Sequence, residues 1–222
     1  MHAALAILRK DLDIEWRTRE GISTVFVLAV MLLVVFAVAH DLPPDEAPAL
    51  APPVLWATFV LTGLLGVQRG FLLERENDCL AGLLTAPVDP ASIYAGKLAA
   101  NVVVLGAMQA VVVPLVGLFL HVDMVPALPG LVVVLLLGNV GFSALATLFA
   151  AVAVRTRARE VMLPLLMLPL AAPLLIGGIQ ATTTLMAGEE FGAVSHWLNL
   201  LAAFDAVFLV VGWMAFEYVV AE

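Results

Sequence analysis

The sequence predicts an all-α integral membrane protein with six transmembrane helices, and two observations support this prediction. The chain of 222 residues is 63% hydrophobic and only 13% charged, whereas soluble domains average roughly 45–50% apolar and about 25% charged residues. The hydrophobic residues also gather into six long runs, each with at most one charged side chain. A run of about 20 apolar residues is long enough to cross a bilayer as a helix.

The same composition argues against several other classes of protein. No interval between the apolar runs exceeds about thirty residues, which is too short for an independent soluble core. The formal net charge is −8, and the ten Lys and Arg residues are spread over several short segments. Nucleic-acid binding, which needs a clustered basic patch, is therefore not expected. A single cysteine, Cys79, excludes an internal disulfide.

Residues 3–20 are predicted to form an amphipathic helix that lies on the membrane surface. Opposite charges four residues apart, such as Arg9 and Asp13, add stabilising pairs to such a helix. A segment of this kind can lie in the headgroup layer, and the alternative is a plain cytoplasmic tail. Its larger apolar residues recur at three- and four-residue spacing, which places them on one face: Leu5, Leu8, Leu12 and Trp16.

The six predicted spans follow in order and are separated by short polar segments. A proline-rich stretch, His40–Pro53, is predicted to be an extended loop after the first span. The fifth span should be kinked or broken, because three prolines each remove a backbone donor from it. The predicted spans cover residues 22–39, 54–71, 98–120, 130–154, 161–181 and 197–216.

Polar side chains inside the spans are candidates for a functional site, because hydrocarbon offers them no hydrogen bonds. In the fourth span Asn139, Ser143 and Thr147 are four residues apart, so they share one helix face. That face should meet protein or a water-filled cavity rather than lipid. The third span carries two further candidates, Asn101 and Gln109.

Asp205 is the sharpest of these candidates, because an ionisable residue within a span is often functional. It lies about a third of the way into the sixth span, so a position near the interface is an alternative. A hydrogen bond to a neighbouring helix, with a purely structural role, is another.

The positive charges predict the orientation of the chain in the membrane. All ten Lys and Arg residues lie before the first span, around the loop between the second and third spans, or between the fourth and fifth spans. By the positive-inside rule, these three segments face the cytoplasm. Both termini and the central loop are therefore predicted to be cytoplasmic.

The central segment, residues 72–97, is the longest interval that mixes charged residues, turn residues and short apolar runs. We predict that it is a docking loop for a cytoplasmic partner, and the alternative is an ordinary solvated connection between spans. Two prolines mark the turn that leads into the third span. The candidate residues of this segment are Glu74, Glu76, Asp78, Gly82, Leu83, Leu84, Pro87, Pro90 and Lys97.

No catalytic motif occurs in the sequence, so we predict neither an enzyme nor a metal site. Three histidines, His40, His121 and His196, fall on the predicted outer side and could ligate a metal or a haem iron. Their spacing matches no ligand motif, and polar residues at span ends are common. The residues alone leave open a permease driven by a separate ATPase, a membrane anchor of a redox complex, and a scaffold.

The central segment resembles a known family. The run from Glu76 to Lys97, ENDCLAGLLTAPVDPASIYAGK, is similar to the cytoplasmic loop of CcmB. CcmB is the permease of the haem-exporter-type ABC system used in cytochrome c maturation. The charged end of the first helix, Arg17–Glu20, and the closing residues Phe204-Asp205 and Phe216-Glu217-Tyr218 also look like this family.

The resemblance implies a single membrane permease domain over residues 1–222, with a type-2 ABC exporter fold in the bacterial inner membrane. It implies that the central segment couples the chain to a CcmA-type ATPase, and it leaves room for a homodimer. It also implies two further partners, a CcmC-type haem-handling membrane protein and a CcmE-type haem chaperone. The chain would help to deliver haem, or to free the haem-loaded chaperone, outside the cytoplasm.

Two points qualify what this resemblance implies. The tryptophan-rich haem-handling motif of CcmC is absent, because the four tryptophans are isolated from one another. Haem is therefore expected to be held by the partners rather than as a cofactor of this chain. A type-2 permease for a lipid, a glycan or a drug is an alternative, because it would have a coupling loop of the same kind.

Cys79 can test the predicted orientation, because it is the sole thiol and lies in the central segment. A membrane-impermeant maleimide should label it in inverted vesicles and leave it unlabelled in intact cells. Asp123→Cys in a Cys79→Ser background, on the predicted outer side, is the matched control and should show the opposite pattern. Labelling of Cys79 in intact cells alone would contradict the orientation.

Overall fold

The computed structural model is helical throughout the part that it describes, residues 2–18, 20–39, 47–76, 89–153 and 159–221, and no strand occurs in these ranges. Helices satisfy their own backbone hydrogen bonds, as a chain surrounded by lipid requires. Numbered in chain order, the helices are α1 His2–Thr18, α2 Glu20–Ala39, α3 Ala47–Glu76, α4 Pro90–Leu120, α5 Leu128–Ala153, α6 Arg159–Leu170, α7 Ala172–Met186 and, after the 3-10 turn Phe191–Val194, α8 Ser195–Ala221.

The chain is an all-α, multi-pass membrane protein. Within the described residues, four segments are long and apolar enough to cross a bilayer: Ala47–Val67, Pro90–Leu120, Leu128–Phe149 and Phe191–Phe216. The other two predicted spans fall on shorter helices. The apolar stretch of α2 covers Phe26–Val38, and the predicted span 161–181 is divided between α6 and α7.

The division of that span occurs at Ala171. The N–H of Ala171 donates to the carbonyl of Met167 at 2.8 Å, and the N–H of Leu175 donates to the carbonyl of Ala171 at 2.9 Å. Helical hydrogen bonds therefore continue on both sides of a single interrupting residue. Pro169 and Pro173 flank it, and their missing N–H groups explain why the interruption lies here.

The loop before α3 is shorter than the sequence predicted. α3 begins at Ala47, so the extended conformation predicted for His40–Pro53 is wrong from residue 47 onward. Pro52 and Pro53 lie inside the helix, near its start. Ala47 and Ala51 are buried, and this burial offsets the loss of two backbone donors in the first turns.

The boundaries predicted for the central segment are wrong at both ends. Residues 72–76 are the last turns of α3, and residues 90–97 are the first turns of α4. Pro90 starts α4 because its fixed backbone angle suits a first helical position, where an N–H would have no intrahelical partner. The carbonyl of Asp89 accepts the N–H of Ser92 at 2.9 Å. Residues 77–88 lie outside the described part.

The main core forms around α3, which contacts α2, α4, α5 and α7. Trp56 of α3 is fully buried. Its indole ring fills a space left by Gly138 of α5 and Gly178 of α7, and a Cβ at either glycine would overlap the ring. The indole N–H also donates to the hydroxyl of Thr182 at 3.0 Å. One side chain therefore joins three helices by packing and by a hydrogen bond.

A second, smaller cluster holds α1 against the start of α4 and the end of α8. Ile7 of α1 is 5% exposed and packs with Ile93, Tyr94 and Phe216. The apolar face predicted for α1 is therefore not the one that packs here: Leu5 is 48% exposed. The face of α1 that is buried is determined by where α4 and α8 lie, and it is not the face that carries most of the large apolar residues.

Gly96 permits the close crossing of α1 and α4. A Cβ at this position would lie 2.8 Å from the backbone oxygen of Ala4 and 2.9 Å from the Cβ of Ile7. Both distances are shorter than van der Waals contact, so a larger residue would force the helices apart. The ion pairs described for α1 join Lys10 and Lys97 to Asp11, rather than Arg9 to Asp13 as the sequence predicted.

The fit of Trp56 predicts that Gly178→Ala destabilises the protein. In a helix interior alanine is more stable than glycine by about 1 kcal/mol. Overlap of its methyl group with the buried ring of Trp56 lowers stability by about 1–3 kcal/mol. We expect a net loss in the free energy of unfolding, measured by thermal unfolding in mild detergent. Gly192→Ala is the matched control, because nothing lies within 4 Å of a Cβ there. Equal stability of the two variants would contradict the proposed fit.

Candidate functional site

The polar side chains of α5 lie at its contact with α4. Asn139 is 1% exposed, and Ser143 and Thr147 are fully buried. The amide of Asn139 donates to the carbonyl of Val102 at 2.9 Å, and its oxygen accepts the hydroxyl of Ser143 at 3.1 Å. The face shared by these residues therefore meets the protein interior.

Asn101 of α4 completes this row. Its amide donates to the hydroxyl of Thr147 at 2.8 Å, and that hydroxyl donates to the carbonyl of Ser143 at 2.7 Å. Hydrogen bonds of this kind fix the register of two helices in a bilayer, where each contributes about 0.6–2 kcal/mol. We call the residues Asn101, Asn139, Ser143 and Thr147 the polar ladder.

The chemistry of the polar ladder favours helix pairing over substrate binding. The Nδ2 groups of both asparagines and the hydroxyls of Ser143 and Thr147 donate within the protein. Gln109, eight residues or about two helical turns after Asn101 on α4, donates to the carbonyl of Leu135 at 3.5 Å. These contacts hold α4 against α5 along much of their length.

Asp205 has a different environment from the ladder. It is 6% exposed, and its Oδ1 atom has no hydrogen-bond partner among the described residues. That oxygen lies against Gly141 of α5, where a Cβ would overlap it, with Leu174 nearby. Asp205 is therefore buried between α8 and α5 rather than placed at the surface. A second buried oxygen without a partner is the hydroxyl of Thr58 in α3.

Lys97 occupies a position that the sequence analysis did not anticipate. It was predicted to mark the exit from the central loop, but it lies in the second turn of α4 and is 3% exposed. Its ammonium nitrogen is 3.9 Å from a carboxylate oxygen of Asp11 in α1. Asp11 also pairs with Lys10 at 2.8 Å. A buried cation needs a partner of opposite charge, and α1 supplies it.

Sequence reasoning missed Asp11 and Tyr94 as members of this region. Tyr94 lies over Gly212 of α8, and its hydroxyl donates to the carbonyl of Phe208 at 3.5 Å. An aspartate and a lysine more than eighty positions apart carry no local signal of pairing. The one local signal of this helix contact was Gly96, which directly precedes Lys97, since glycine often permits close backbone approach.

The remaining predicted site residues divide into those that the structure describes and those that it does not. Glu74 and Glu76 lie in the last turns of α3, and Pro90 begins α4. His121 is exposed and ends α4 in a left-handed conformation, with φ of 55°. The ring of His196 contacts that of Trp197 at the start of α8, with 4.4 Å between centroids and 45° between the planes. The residues outside the described part are His40, Asp78, Gly82, Leu83, Leu84 and Pro87.

The described residues contain no group of three or more His, Cys, Asp or Glu side chains that could hold a metal ion. Two grooves among these residues flank α4. One groove, of about 700 Å³, lies between α4 and α5 and includes Gln109 and Asp123. The other, of about 490 Å³, lies between α1, α2 and α4. Both are lined mainly by apolar side chains.

The environment of Asp205 predicts that Asp205→Leu leaves stability unchanged or raised, because replacing a buried group that has no partner removes a desolvation cost. Asn139→Leu is the matched control within the same bundle. It should lower the free energy of unfolding by about 1–2 kcal/mol, because the Ser143 hydroxyl and the Val102 carbonyl lose their partner. Thermal unfolding in mild detergent measures both. If the two variants lose similar stability, Asp205 has a partner and this interpretation is wrong.

Comparison with known proteins identifies relatives along the whole chain. The family described as CcmB protein matches residues 2–221. The chain is 33% identical over 216 residues to "Heme exporter protein B" of Bradyrhizobium diazoefficiens, which covers 96% of this chain and 94% of that protein.

Two further relatives carry the same name. The protein of Paracoccus denitrificans is 37% identical over 187 residues, which cover 83% of this chain and 84% of the relative. That of Rhodobacter capsulatus is 34% identical over 204 residues, or 90% of each chain. The family match over residues 2–221 includes α1, the central segment and α8 together. This chain therefore belongs to the CcmB family.

Proposed function

We propose that this chain is the membrane permease subunit of a haem exporter that serves cytochrome c maturation. The observation that carries this proposal is the extent of the similarity. It spans 96% of this chain and 94% of a relative named as a heme exporter protein, and the family match covers residues 2–221. A permease subunit has no catalytic machinery of its own, so ATP hydrolysis belongs to a separate CcmA-type ATPase.

The proposed topology has six spans in the bacterial inner membrane, with both termini in the cytoplasm. α2 has 20 residues, which corresponds to about 30 Å of helix, close to the thickness of a hydrocarbon core. α6 and α7 together cover residues 159–186 and form the fifth crossing. The positions of all ten basic residues support the cytoplasmic termini.

The ATPase is proposed to dock on the loop between α3 and α4. Glu74 and Glu76 at the end of α3 and Asp78 after it would supply acidic charge to this surface. Leu83 and Leu84 would provide an apolar anchor, the usual centre of a small interface. α3 and α4, which lead into and out of the loop, contact each other within the bundle.

The contacts of α1 support a route for mechanical coupling from this loop. The turns of α4 that follow the loop hold Ile93, Tyr94 and Lys97, each at most 3% exposed. They are covered by α1 and by the end of α8. A displacement of the loop would therefore move α1, α4 and α8 together, because their side chains are closely packed against one another.

Haem itself is proposed to be held by the partners, a CcmC-type membrane protein and a CcmE-type chaperone. The amide and hydroxyl donors of the polar ladder are engaged within the bundle. The chain would then transmit the energy of ATP hydrolysis to haem delivery, or to release of the loaded chaperone, on the outer side.

Leu83→Asp tests the docking role of the loop. It should abolish co-purification of the ATPase and reduce cytochrome c content, because burying a carboxylate at the centre of the interface costs more free energy than burying leucine. Membrane levels of the variant should match wild type, since the substitution lies outside the proposed spans. The readouts are a pull-down of the ATPase and the yield of mature cytochrome c.

Val125→Asp is the matched control for that experiment. Val125 is 69% exposed, follows α4, and lies on the proposed outer side, so the same charge there should leave the ATPase bound. Normal ATPase binding and normal cytochrome c content in Leu83→Asp would show that the loop is merely a connector. Wild-type cytochrome c content in a strain that lacks this gene would overturn the haem-export proposal as a whole.

A further inference from the structure

The groove between α1, α2 and α4 has a hydrocarbon wall and an acidic end. Phe26 and Ala29 of α2 form one side, and Leu12 of α1 forms another. The acidic residues that line it are Asp13 and Glu15 of α1. α4 contributes Val103, Val104, Ala107, Met108, Val111 and Val112.

The length of the groove matches one leaflet of a bilayer. Its residues on α4 run from Val103 to Val112, a rise of about 13 Å at 1.5 Å per residue. Half of a typical hydrocarbon core is about 15 Å thick. Because the whole of this stretch lies within the candidate span Pro90–Leu120, the groove runs along the part of α4 that crosses the membrane.

The acidic end of the groove lies toward the start of α4. Asp11 of α1 pairs with Lys97, which precedes Val103 by less than two helical turns. Asp13 and Glu15 therefore lie near the Val103 end of the groove, and the Val112 end lies deeper in the proposed span. An amphiphile with its head beside α1 and one chain along α4 would match this arrangement of charge and hydrocarbon.

The charges of α1 select among headgroups. Asp13 lies four residues from Arg9 and four residues from Arg17, so the three side chains share one face of α1. All three are exposed and take part in no ion pair among the described residues. Such a row of cation, anion and cation can meet a phosphate and an ammonium group at the same time. Carboxylates bind best to an ammonium that can donate hydrogen bonds.

We propose that this groove binds one acyl chain of a phospholipid whose headgroup carries a primary amine, as in phosphatidylethanolamine. The amine would donate to Asp13, and the phosphate would accept from a neighbouring arginine. Phosphatidylcholine has no N–H to donate, and phosphatidylglycerol has no ammonium group to pair with Asp13. The proposal requires that α4 crosses the bilayer, and it is independent of the substrate of the exporter.

The groove between α4 and α5 provides an internal comparison. It is larger, but its polar groups are engaged. Asp123 accepts the N–H of Val125 at 3.0 Å, and Gln109 donates to the carbonyl of Leu135. The same helix therefore presents two apolar grooves, of which one ends at Asp13, within the row formed with Arg9 and Arg17. Ala107 and Ala110 are exposed on α4, one in each groove.

Native mass spectrometry of the purified full-length chain tests the proposal. The chain is incubated with equal amounts of phosphatidylethanolamine, phosphatidylcholine and phosphatidylglycerol of identical acyl composition. We expect stoichiometric retention of phosphatidylethanolamine, with a preference of about fivefold over phosphatidylglycerol, as exposed ion pairs provide. Ala107→Phe should abolish this retention by filling the groove, whereas Ala110→Phe, the matched control, should leave it intact.

Asp13→Asn separates the headgroup from the chain. It should reduce the preference for phosphatidylethanolamine to about one while total bound lipid stays constant. If Ala107→Phe does not insert, Val111→Phe, which lines the same groove, replaces it. Lipid retention that survives the phenylalanine variants, or a preference for phosphatidylglycerol, would overturn the proposal. So would a second copy in the groove, seen as a cross-linked dimer that Ala107→Phe removes without any change in bound lipid.

Discussion

The insertion of Trp56 between two glycines is the contact on which the described bundle depends most. Hydrophobic burial drives helix association weakly inside a bilayer, because lipid tails are as apolar as leucine. Close packing and internal hydrogen bonds must then hold the helices together. Trp56 supplies both, since its ring fills the space beside Gly138 and Gly178 and its N–H donates to Thr182. The helices α3, α5 and α7 meet at this one side chain.

Hydrogen bonds between side chains join α5 to a further helix, α4. The polar ladder joins α5 to α4 through side chains that donate to one another or to the backbone. Asp205 faces α5 from α8, against Gly141. α5 therefore has three kinds of contact around its surface: a large ring against glycine, a hydrogen-bonded row, and a carboxyl group against glycine. A helix so placed can transmit displacement among its neighbours.

The region around Lys97 links the central segment to the bundle. α1, the start of α4 and the end of α8 share a small apolar cluster, and the ion pair between Asp11 and Lys97 lies beside it. α1 is thereby fixed to two other helices of the chain. It covers the turns of α4 that follow the central loop, and it contributes the charged end of the lipid groove proposed above.

Local patterns in the sequence were sufficient for several conclusions about this protein. The apolar runs indicate a multi-pass membrane protein, and the central segment and both ends of the chain carry the resemblance to CcmB. The four-residue spacing of Asn139, Ser143 and Thr147 predicted a shared face toward protein or a wet cavity. These features depend on residues close together in the chain, where helical periodicity determines which side chains are neighbours.

Only the tertiary structure decided the contacts between distant residues. The burial of Lys97 beneath α1, the place of Trp56 and the position of Asp205 against Gly141 depend on which helices become neighbours. The start of α3 at Ala47, despite its prolines, follows from burial against other helices, which local propensity does not contain. The sequence by itself therefore determined the class, the family and most helices, whereas packing between helices decided which polar groups are paired and which face of α1 is covered.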